Sequence, residues 1–196
     1  MAINTSNTEL SILKQNIDQV DYYKYLGTHI DTTIKDNSEI KIRMGIAFSV
    51  FWDMKNIWKA KELSLKLKLQ IFHATCLPIL LYGCETWILT RDLINKLDSF
   101  ATICYRYILQ ISKLEKIKND KILNLVDRKP LHVIIQERQL KFINQILGYE
   151  NNNLSKIYAL YEPLHGKRKV GKPKLTYHKY SSQIEIANIA NINVHH

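Results

Sequence analysis

The sequence predicts a mainly α-helical protein: a helical bundle with a short β segment before it and a basic, partly flexible region after it. Three observations predict this class. Apolar residues recur at helical spacing through most of residues 39–147, β-forming residues alternate before residue 31, and basic residues with glycine and proline dominate residues 166–174. The 196 residues suffice for one domain, or for one domain plus a tail.

Residues 1–31 are predicted to form the short β segment. β-forming residues alternate here, including Ile12, Val20 and Tyr23, and Gly27 suits a turn or bulge. We expect two or three short strands. The first helix should follow, with Asn37 and Ser38 supplying a cap before Glu39. Its apolar stripe is Ile40, Met44, Ala47, Phe51, Met54 and Trp58, which predicts one helix of about six turns.

The segment from Leu63 to Ile71 fits two patterns, because its leucines alternate as in a strand and also satisfy helical spacing. The apolar pattern continues to Tyr82 and outruns an ordinary strand, so a helix is preferred. Its helical stripe is Leu65, Leu69, Phe72, Cys76 and Leu80. For the third helix Thr90 is the expected cap, and the stripe is Ile94, Leu97, Ala101, Cys104, Ile108 and Ile111, widened by Phe100 and Tyr107.

Beyond a lysine-rich connector, the sequence predicts a short helix from about Asn119 to Val126 and a longer one from Leu131 to Leu147. Pro130 separates the two, and Gly148 is a natural stop. The polar run from Asn151 to Ser155 is typical of a linker. We therefore expect a helical domain over 38–148, then a linker and basic region over 149–196.

The charge favours a polyanionic partner. Lys and Arg number 28 against 18 Asp and Glu, a formal net charge of +10. Residues 1–60 hold seven basic and seven acidic residues, whereas residues 151–196 hold seven and two. The surplus is therefore densest toward the C-terminal end.

Catalytic and metal-binding patterns are missing from the sequence. No two Asp residues are adjacent, and no phosphate-binding loop, dinucleotide fingerprint or nucleophile elbow occurs. Cys76, Cys84 and Cys104 fit neither a disulfide framework nor paired zinc ligands, so a reducing, intracellular environment is expected. His73 and Cys76 are three residues apart and could share a metal, but two ligands do not complete a site.

A membrane span is not expected. The N-terminus lacks the basic and apolar regions of a secretory signal, and the uncharged stretch 69–84 is too short and contains proline and glycine. A membrane-associated helix at 69–84 nevertheless stays open as an alternative. We expect the chain in the nucleus or the cytoplasm.

Basic side chains are the candidate binding residues, because lysine and arginine contact phosphates. The densest group lies in the segment GKRKVGKPK at 166–174, which can follow a phosphate backbone without a fixed geometry. The candidates are Lys66, Lys68, Arg138, Lys141, Lys167, Arg168, Lys169, Lys172 and Lys174. Trp52, Trp58 and Trp87 are expected in the core or at its rim, with base stacking as the alternative.

Five strings, in this order, resemble the C-terminal part of the reverse transcriptase of non-LTR (LINE-type) retrotransposons. They are VDYYKYLGTHID at 20–31, EIKIRMGIAFSVFWDMKNIW at 39–58, LSLKLKLQIFHATCLPILLYGCETWILT at 63–90, RQLKF at 138–142 and GKRKVGKPKLTY at 166–177. The first is similar to the family's strand after the polymerase palm, and the second to its first thumb helix. LPILLYGCETW within the third is the most specific match.

The resemblance implies the thumb and post-thumb part of an RNA-directed DNA polymerase, with the palm and its catalytic aspartates lying before this region. Partners would be RNA, DNA or an RNA–DNA hybrid, with a separate or upstream palm domain. The resemblance implies no cofactor in this chain, because Mg²⁺ would belong to the palm. We expect the chain to be inactive as a polymerase on its own. The alternatives are a helical protein-interaction module or a decayed transposon remnant without activity.

Overall fold

The computed structural model describes residues 11–12, 15–16, 20, 22–25, 27–31 and 36–159, and within these ranges it describes only the backbone of residues 11–12, 15–16, 22, 24, 28–31, 36–37 and 113. These residues form seven α-helices after four short strands, which confirms the mainly α class. The strands are β1 (Ser11–Ile12), β2 (Gln15–Asn16), β3 (Tyr22–Tyr25) and β4 (Thr28–Asp31). The helices are α1 (Asp36–Asp53), α2 (Lys55–Lys59), α3 (Leu65–Leu80), α4 (Arg91–Ile108), α5 (Asn119–Leu125), α6 (Leu131–Leu147) and α7 (Leu154–Ala159).

The strands pair as two antiparallel hairpins, β1 with β2 and β3 with β4. Four strands replace the two or three that the alternation predicted. Gly27 lies in the turn between β3 and β4 with φ of +82°, a left-handed conformation that a side chain would strain. The predicted turn at Gly27 is thus confirmed.

The predicted six-turn helix is divided at Met54 into α1 and the short α2. The indole Nε1 of Trp58 donates to the carbonyl oxygen of Phe51 at 2.7 Å, and the two rings stack with centroids 5.1 Å apart. This contact joins α2 to the last turn of α1, and Trp58 is completely buried. The helix also begins at Asp36, ahead of the expected cap at Asn37 and Ser38.

Helices α3 and α4 each begin with a side-chain cap. Ser64 Oγ accepts from the amide of Leu67 at the start of α3, and Thr90 Oγ1 accepts from Leu93 at the start of α4, as predicted for Thr90. α6 spans the predicted residues and ends at Gly148, but Gly148 has a right-handed φ of −72°. The stop there therefore does not use the left-handed freedom of glycine.

Helices α1 and α4 run parallel, and α3 runs antiparallel to both. Phe48 contacts Phe100 (centroids 4.5 Å apart) and Trp52 contacts Tyr107 (4.8 Å). Residue numbers therefore increase in the same direction along α1 and α4. Phe51 meets Phe72 on α3 at 5.8 Å. The shared core includes Ile40, Ala47, Phe51, Trp58, Phe72, Cys76, Leu80, Leu97, Phe100, Cys104, Ile108, Ile122 and Ile135.

The C-terminal helices close the bundle. α6 packs on α4, and α7 packs on α6, where Lys156 Nζ donates to the carbonyl oxygens of Leu147 (3.1 Å) and Tyr149 (2.9 Å). The predicted linker from Asn151 to Ser155 is therefore wrong at its end, because α7 already begins at Leu154. Among the described helices, none is both long and apolar enough to cross a membrane.

Candidate nucleic-acid interface

Two of the predicted binding residues share a groove beside α6. Arg138 and Lys141 are exposed on this helix and line the groove together with Phe142 and Gln145. Glu85 and Thr86, from the 3-10 turn Cys84–Thr86, form its other wall. We call this the α6 groove. It offers two cations, an aromatic ring and an amide to a ligand, with one carboxylate opposite.

Gln139 fixes α6 in this position. Its side chain is completely buried, and Nε2 donates to the carbonyl oxygens of Cys84 (3.0 Å) and Trp87 (2.7 Å). These bonds set the rotation of α6 about its axis, so that the neighbouring Arg138 faces outward. Sequence reasoning missed Gln139, although an amide inside the otherwise apolar stripe Leu131, Ile135, Ile143 and Ile146 was a usable signal.

Arg138 also acts on the thiol of Cys84 behind the groove. Burial, the largest cause, and the neighbouring Glu85 carboxylate together raise the pKa of Cys84 to about 12, although the Arg138 guanidinium acts in the opposite direction. The buried thiol is thus protonated near neutral pH. The charge that the groove presents to a ligand therefore comes from its surface residues.

Lys66 and Lys68 have different environments at the start of α3. Lys66 is exposed, whereas Lys68 is only 8% exposed and its Nζ donates to the carbonyl oxygen of Trp58 at 2.9 Å. In a helix Lys68 shares a face with Phe72, which turns the lysine inward. We therefore correct the expectation that Lys68 contacts phosphate. The same register leaves Leu65 40% exposed, although its stripe predicted burial.

The structure does not bring Lys66 near the α6 groove. Lys66 lies in the first turn of α3, and the groove lies beside the turn that follows the end of this helix. A helix of 16 residues is about 24 Å long. The remaining predicted residues, Lys167, Arg168, Lys169, Lys172 and Lys174, lie outside the described residues.

Arg43 joins three of the strings that carry the family resemblance. Its Nε lies 2.7 Å from Glu39 Oε1, its Nη2 donates to the Gly27 carbonyl oxygen at 2.6 Å, and its guanidinium stands 4.5 Å from the ring centre of Tyr82. Arg43 is 9% exposed. It therefore connects the β3–β4 turn, α1 and the end of α3, and its role is structural.

The tryptophans and the possible metal ligand His73 were the remaining candidates from the sequence. Trp58 and Trp87 are buried as expected, and Trp52 is 43% exposed with its ring edge-on to Tyr107. His73 and the Tyr105 hydroxyl lie 3.0 Å apart, and burial lowers the pKa of His73. Within the described residues no three His, Cys, Asp or Glu side chains converge.

The three thiols should resist modification in the folded chain. Burial raises the pKa of Cys76 and Cys104, as it does that of Cys84, so less thiolate forms at pH 8. For Cys84 a pKa of about 12 lowers the thiolate fraction by about a thousandfold from that of an ordinary cysteine. Reaction with 4,4′-dithiodipyridine should be slow in buffer and rapid in guanidinium chloride. Rapid stoichiometric labelling of the native chain would contradict this burial.

The sequence is similar to an uncharacterised transposon-derived protein of Caenorhabditis elegans, with 23% identity over 167 residues. The aligned part covers 82% of this chain and 59% of the relative, so the chain spans less than two thirds of that protein. No family model and no solved structure matches the chain. The similarity indicates a transposon-related origin.

Proposed function

We propose that this chain binds nucleic acid as the thumb and post-thumb part of a non-LTR retrotransposon reverse transcriptase. Its ligand would be RNA, DNA or their hybrid, held by its phosphates, while a palm domain outside this chain would carry the aspartates and Mg²⁺ for polymerisation. This chain alone would not polymerise. Such a role belongs inside the cell, in the nucleus or the cytoplasm.

The observation that carries the proposal is the contact between distant parts of the resemblance. Arg43 connects the first three strings through Gly27 and Tyr82, and Gln139 connects RQLKF to the LYGCETW turn. Residues that resemble one family and also contact one another in space form a more specific pattern than separate short strings. The transposon-derived relative supports the coarser part of the proposal, the origin of the chain.

The charge of the chain supports binding through phosphates. The net charge is +10, and Arg138 and Lys141 face solvent side by side with Phe142 and Gln145. Lysine and arginine release counterions from a nucleic acid when they neutralise its phosphates. An aromatic ring between such residues suits an unpaired base. The α6 groove therefore fits a nucleic-acid strand better than a neutral small molecule.

Fluorescence anisotropy with a labelled RNA–DNA hybrid, repeated over a salt series, tests the proposal. The logarithm of the binding constant should fall linearly with the logarithm of salt concentration, with a slope of about 0.9 for each phosphate neutralised. The double substitution Arg138→Gln with Lys141→Gln should reduce this slope by about two. The control with the same loss of charge is Lys41→Gln with Lys96→Gln, at exposed positions of α1 and α4.

The basic segment 166–174 has its own arm of the experiment. Replacing its five basic residues by glutamine should lower the slope further, by about 4.5. Affinity unchanged by this replacement would remove the segment from the interface. Absence of binding by the unaltered chain at low salt would overturn the proposed function.

A helical protein-interaction module is the second candidate function. An open apolar groove between α1 and α4 favours it, lined by Met44, Phe48, Phe100 and Ile103. This function predicts no salt-dependent binding of the hybrid. The anisotropy series therefore separates the two candidates.

A further inference from the structure

The fold brings two lysine-rich segments to one end of the bundle. The first comprises α2 and the start of α3, and the second the connector after α4 and the start of α5. Their exposed lysines are Lys55, Lys59, Lys61, Lys66, Lys116, Lys118 and Lys121. We call this set the lysine-rich end. Only Lys66 among them was a candidate from the sequence.

The Trp58 carbonyl oxygen is the point at which the two segments meet. It accepts from Lys68 Nζ at 2.9 Å and from Gln110 Nε2 at 3.3 Å, so the start of α3 and the end of α4 both contact α2. The Arg106 guanidinium donates to the carbonyl of Ile117 and thereby holds the connector against the last turns of α4. Arg106 and Gln110 are about 6 Å apart along the helix. The lysines on the two segments therefore face the same end.

The connector has a defined conformation. Gln110 has φ of +57°, and two backbone hydrogen bonds end α4 at this residue. The backbone N–H of Gln110 donates to the Tyr107 carbonyl oxygen (3.2 Å), and that of Ile111 donates to the Arg106 carbonyl oxygen (2.9 Å). This is the Schellman pattern, with glutamine in the position that glycine usually occupies. The Gln110 side chain donates to the carbonyl oxygens of Tyr107 (2.8 Å) and Trp58 (3.3 Å). The connector that carries the next lysines of this end therefore begins at a residue with a defined conformation.

The charge at this end is positive. Four carboxylates accompany the seven lysines, those of Asp53, Glu62, Glu115 and Asp120. The Glu115 carboxylate accepts from the Ser112 amide at 2.8 Å and so caps a turn locally. The ion pairs Glu39–Arg43 and Lys129–Glu137 and the contact between Asp98 and His132 lie elsewhere in the described part of the chain and include no lysine of this end. The buried ammonium group of Lys68 adds to the positive field from behind.

We infer that the lysine-rich end is a second nucleic-acid-binding surface, which contacts the phosphate backbone independently of base sequence. The inference rests on the proposed function and deepens it. All of these exposed basic residues are lysines, which act as flexible point charges and lack the rigid planar fork of donors that arginine presents. The surface lies at the other end of α3 from the α6 groove, so the two surfaces are separate.

An anionic membrane is the alternative partner for the lysine-rich end. Leu114, in the connector, is 88% exposed and could enter a bilayer between lysines. We favour nucleic acid because the lysines lie on two segments held together by the fold, and because the chain is similar to a transposon-derived protein. The membrane is therefore an outcome of the experiment.

The test compares two double variants of the full chain, Lys59→Gln with Lys118→Gln, and the control Lys41→Gln with Lys96→Gln. The first should lower the salt slope for the RNA–DNA hybrid by about two and weaken binding at least about tenfold near 0.1 M salt. The control should change binding less than about twofold. Hybrids of two unrelated sequences should lose affinity equally. Thermal melting should show that both variants remain folded.

Each outcome separates the inference from the proposed function. If the unaltered chain binds the hybrid and both double variants bind it equally well, the inference fails and the proposed function stands. If the unaltered chain does not bind the hybrid, both fail. A loss confined to vesicles of phosphatidylserine and phosphatidylcholine would overturn the inference in favour of a membrane surface.

Discussion

Leu80→Asp should unfold the bundle. Leu80 is completely buried near the end of α3, and a carboxylate there would lose its hydration and the packing of the leucine at once. The cost should reach at least about 5 kcal/mol, which is comparable to the whole stability of an ordinary domain. Phe51→Asp should act similarly, because the Phe51 ring contacts those of Trp58, Phe72 and Tyr107.

Circular dichroism during thermal melting measures this effect. The matched control is Leu114→Asp, which makes the same chemical change at a side chain that is 88% exposed. It should move the melting temperature by no more than a surface substitution does. A cooperative melt of Leu80→Asp at the unaltered temperature would show that the end of α3 is not buried.

Gln139→Ala should destabilise the bundle by about 2–4 kcal/mol. The substitution leaves the carbonyl oxygens of Cys84 and Trp87 without this buried donor and also creates a cavity at a completely buried position. Lys141→Ala, at an exposed position of the same helix, should cost less than about 0.5 kcal/mol. Urea titration followed by tryptophan fluorescence measures both.

The isosteric substitution Gln139→Glu separates hydrogen bonding from shape. A glutamate carboxylate would face two carbonyl oxygens, so burial should raise its folded pKa above the unfolded value. The variant should therefore be most stable below about pH 4, and should lose stability as pH rises through the folded pKa. Equal stability of Gln139→Glu and the unaltered chain at neutral pH would contradict the donor role of this amide.

Local sequence signals predicted the regular helices well. Thr90 caps α4 as expected, and the stripe from Leu97 to Ile108 is buried. Pro130 sets the start of α6, and the predicted residues Leu131 to Leu147 agree with the structure. These elements depend on residues within one or two helical turns, which a sequence displays directly.

Hydrogen bonds from side chains to backbone carbonyl groups account for what the sequence did not reveal. The break at Met54 depends on the indole of Trp58 reaching Phe51, and the burial of Lys68 depends on the Trp58 carbonyl. In the sequence, neither Trp58 nor Lys68 is distinguished from the apolar and basic residues around it. The alternating leucines around residue 65 also concealed which of them the helix would expose.

The candidate site was predictable in part for the same reason. Arg138 and Lys141 are three residues apart, so their common exposure on one helix follows from spacing alone. The Glu85 and Thr86 wall of the α6 groove requires the turn that Gln139 holds from 52 and 55 residues away. The lysine-rich end likewise requires Gln110 to meet Trp58.

The bonds of Gln139 also suggest an order of folding, because they join residues that are far apart in the sequence. During synthesis the Cys84–Thr86 turn leaves the ribosome about fifty residues before its partner on α6. Until α6 follows, two carbonyl oxygens and the face of α4 that α6 covers remain exposed to water and to other nascent chains. Closing so long a loop is slow compared with forming helices α1 to α4. We therefore expect residues 131–147 to join the core after helices α1 to α4, and we expect the shorter nascent chains to be the species that chaperones protect.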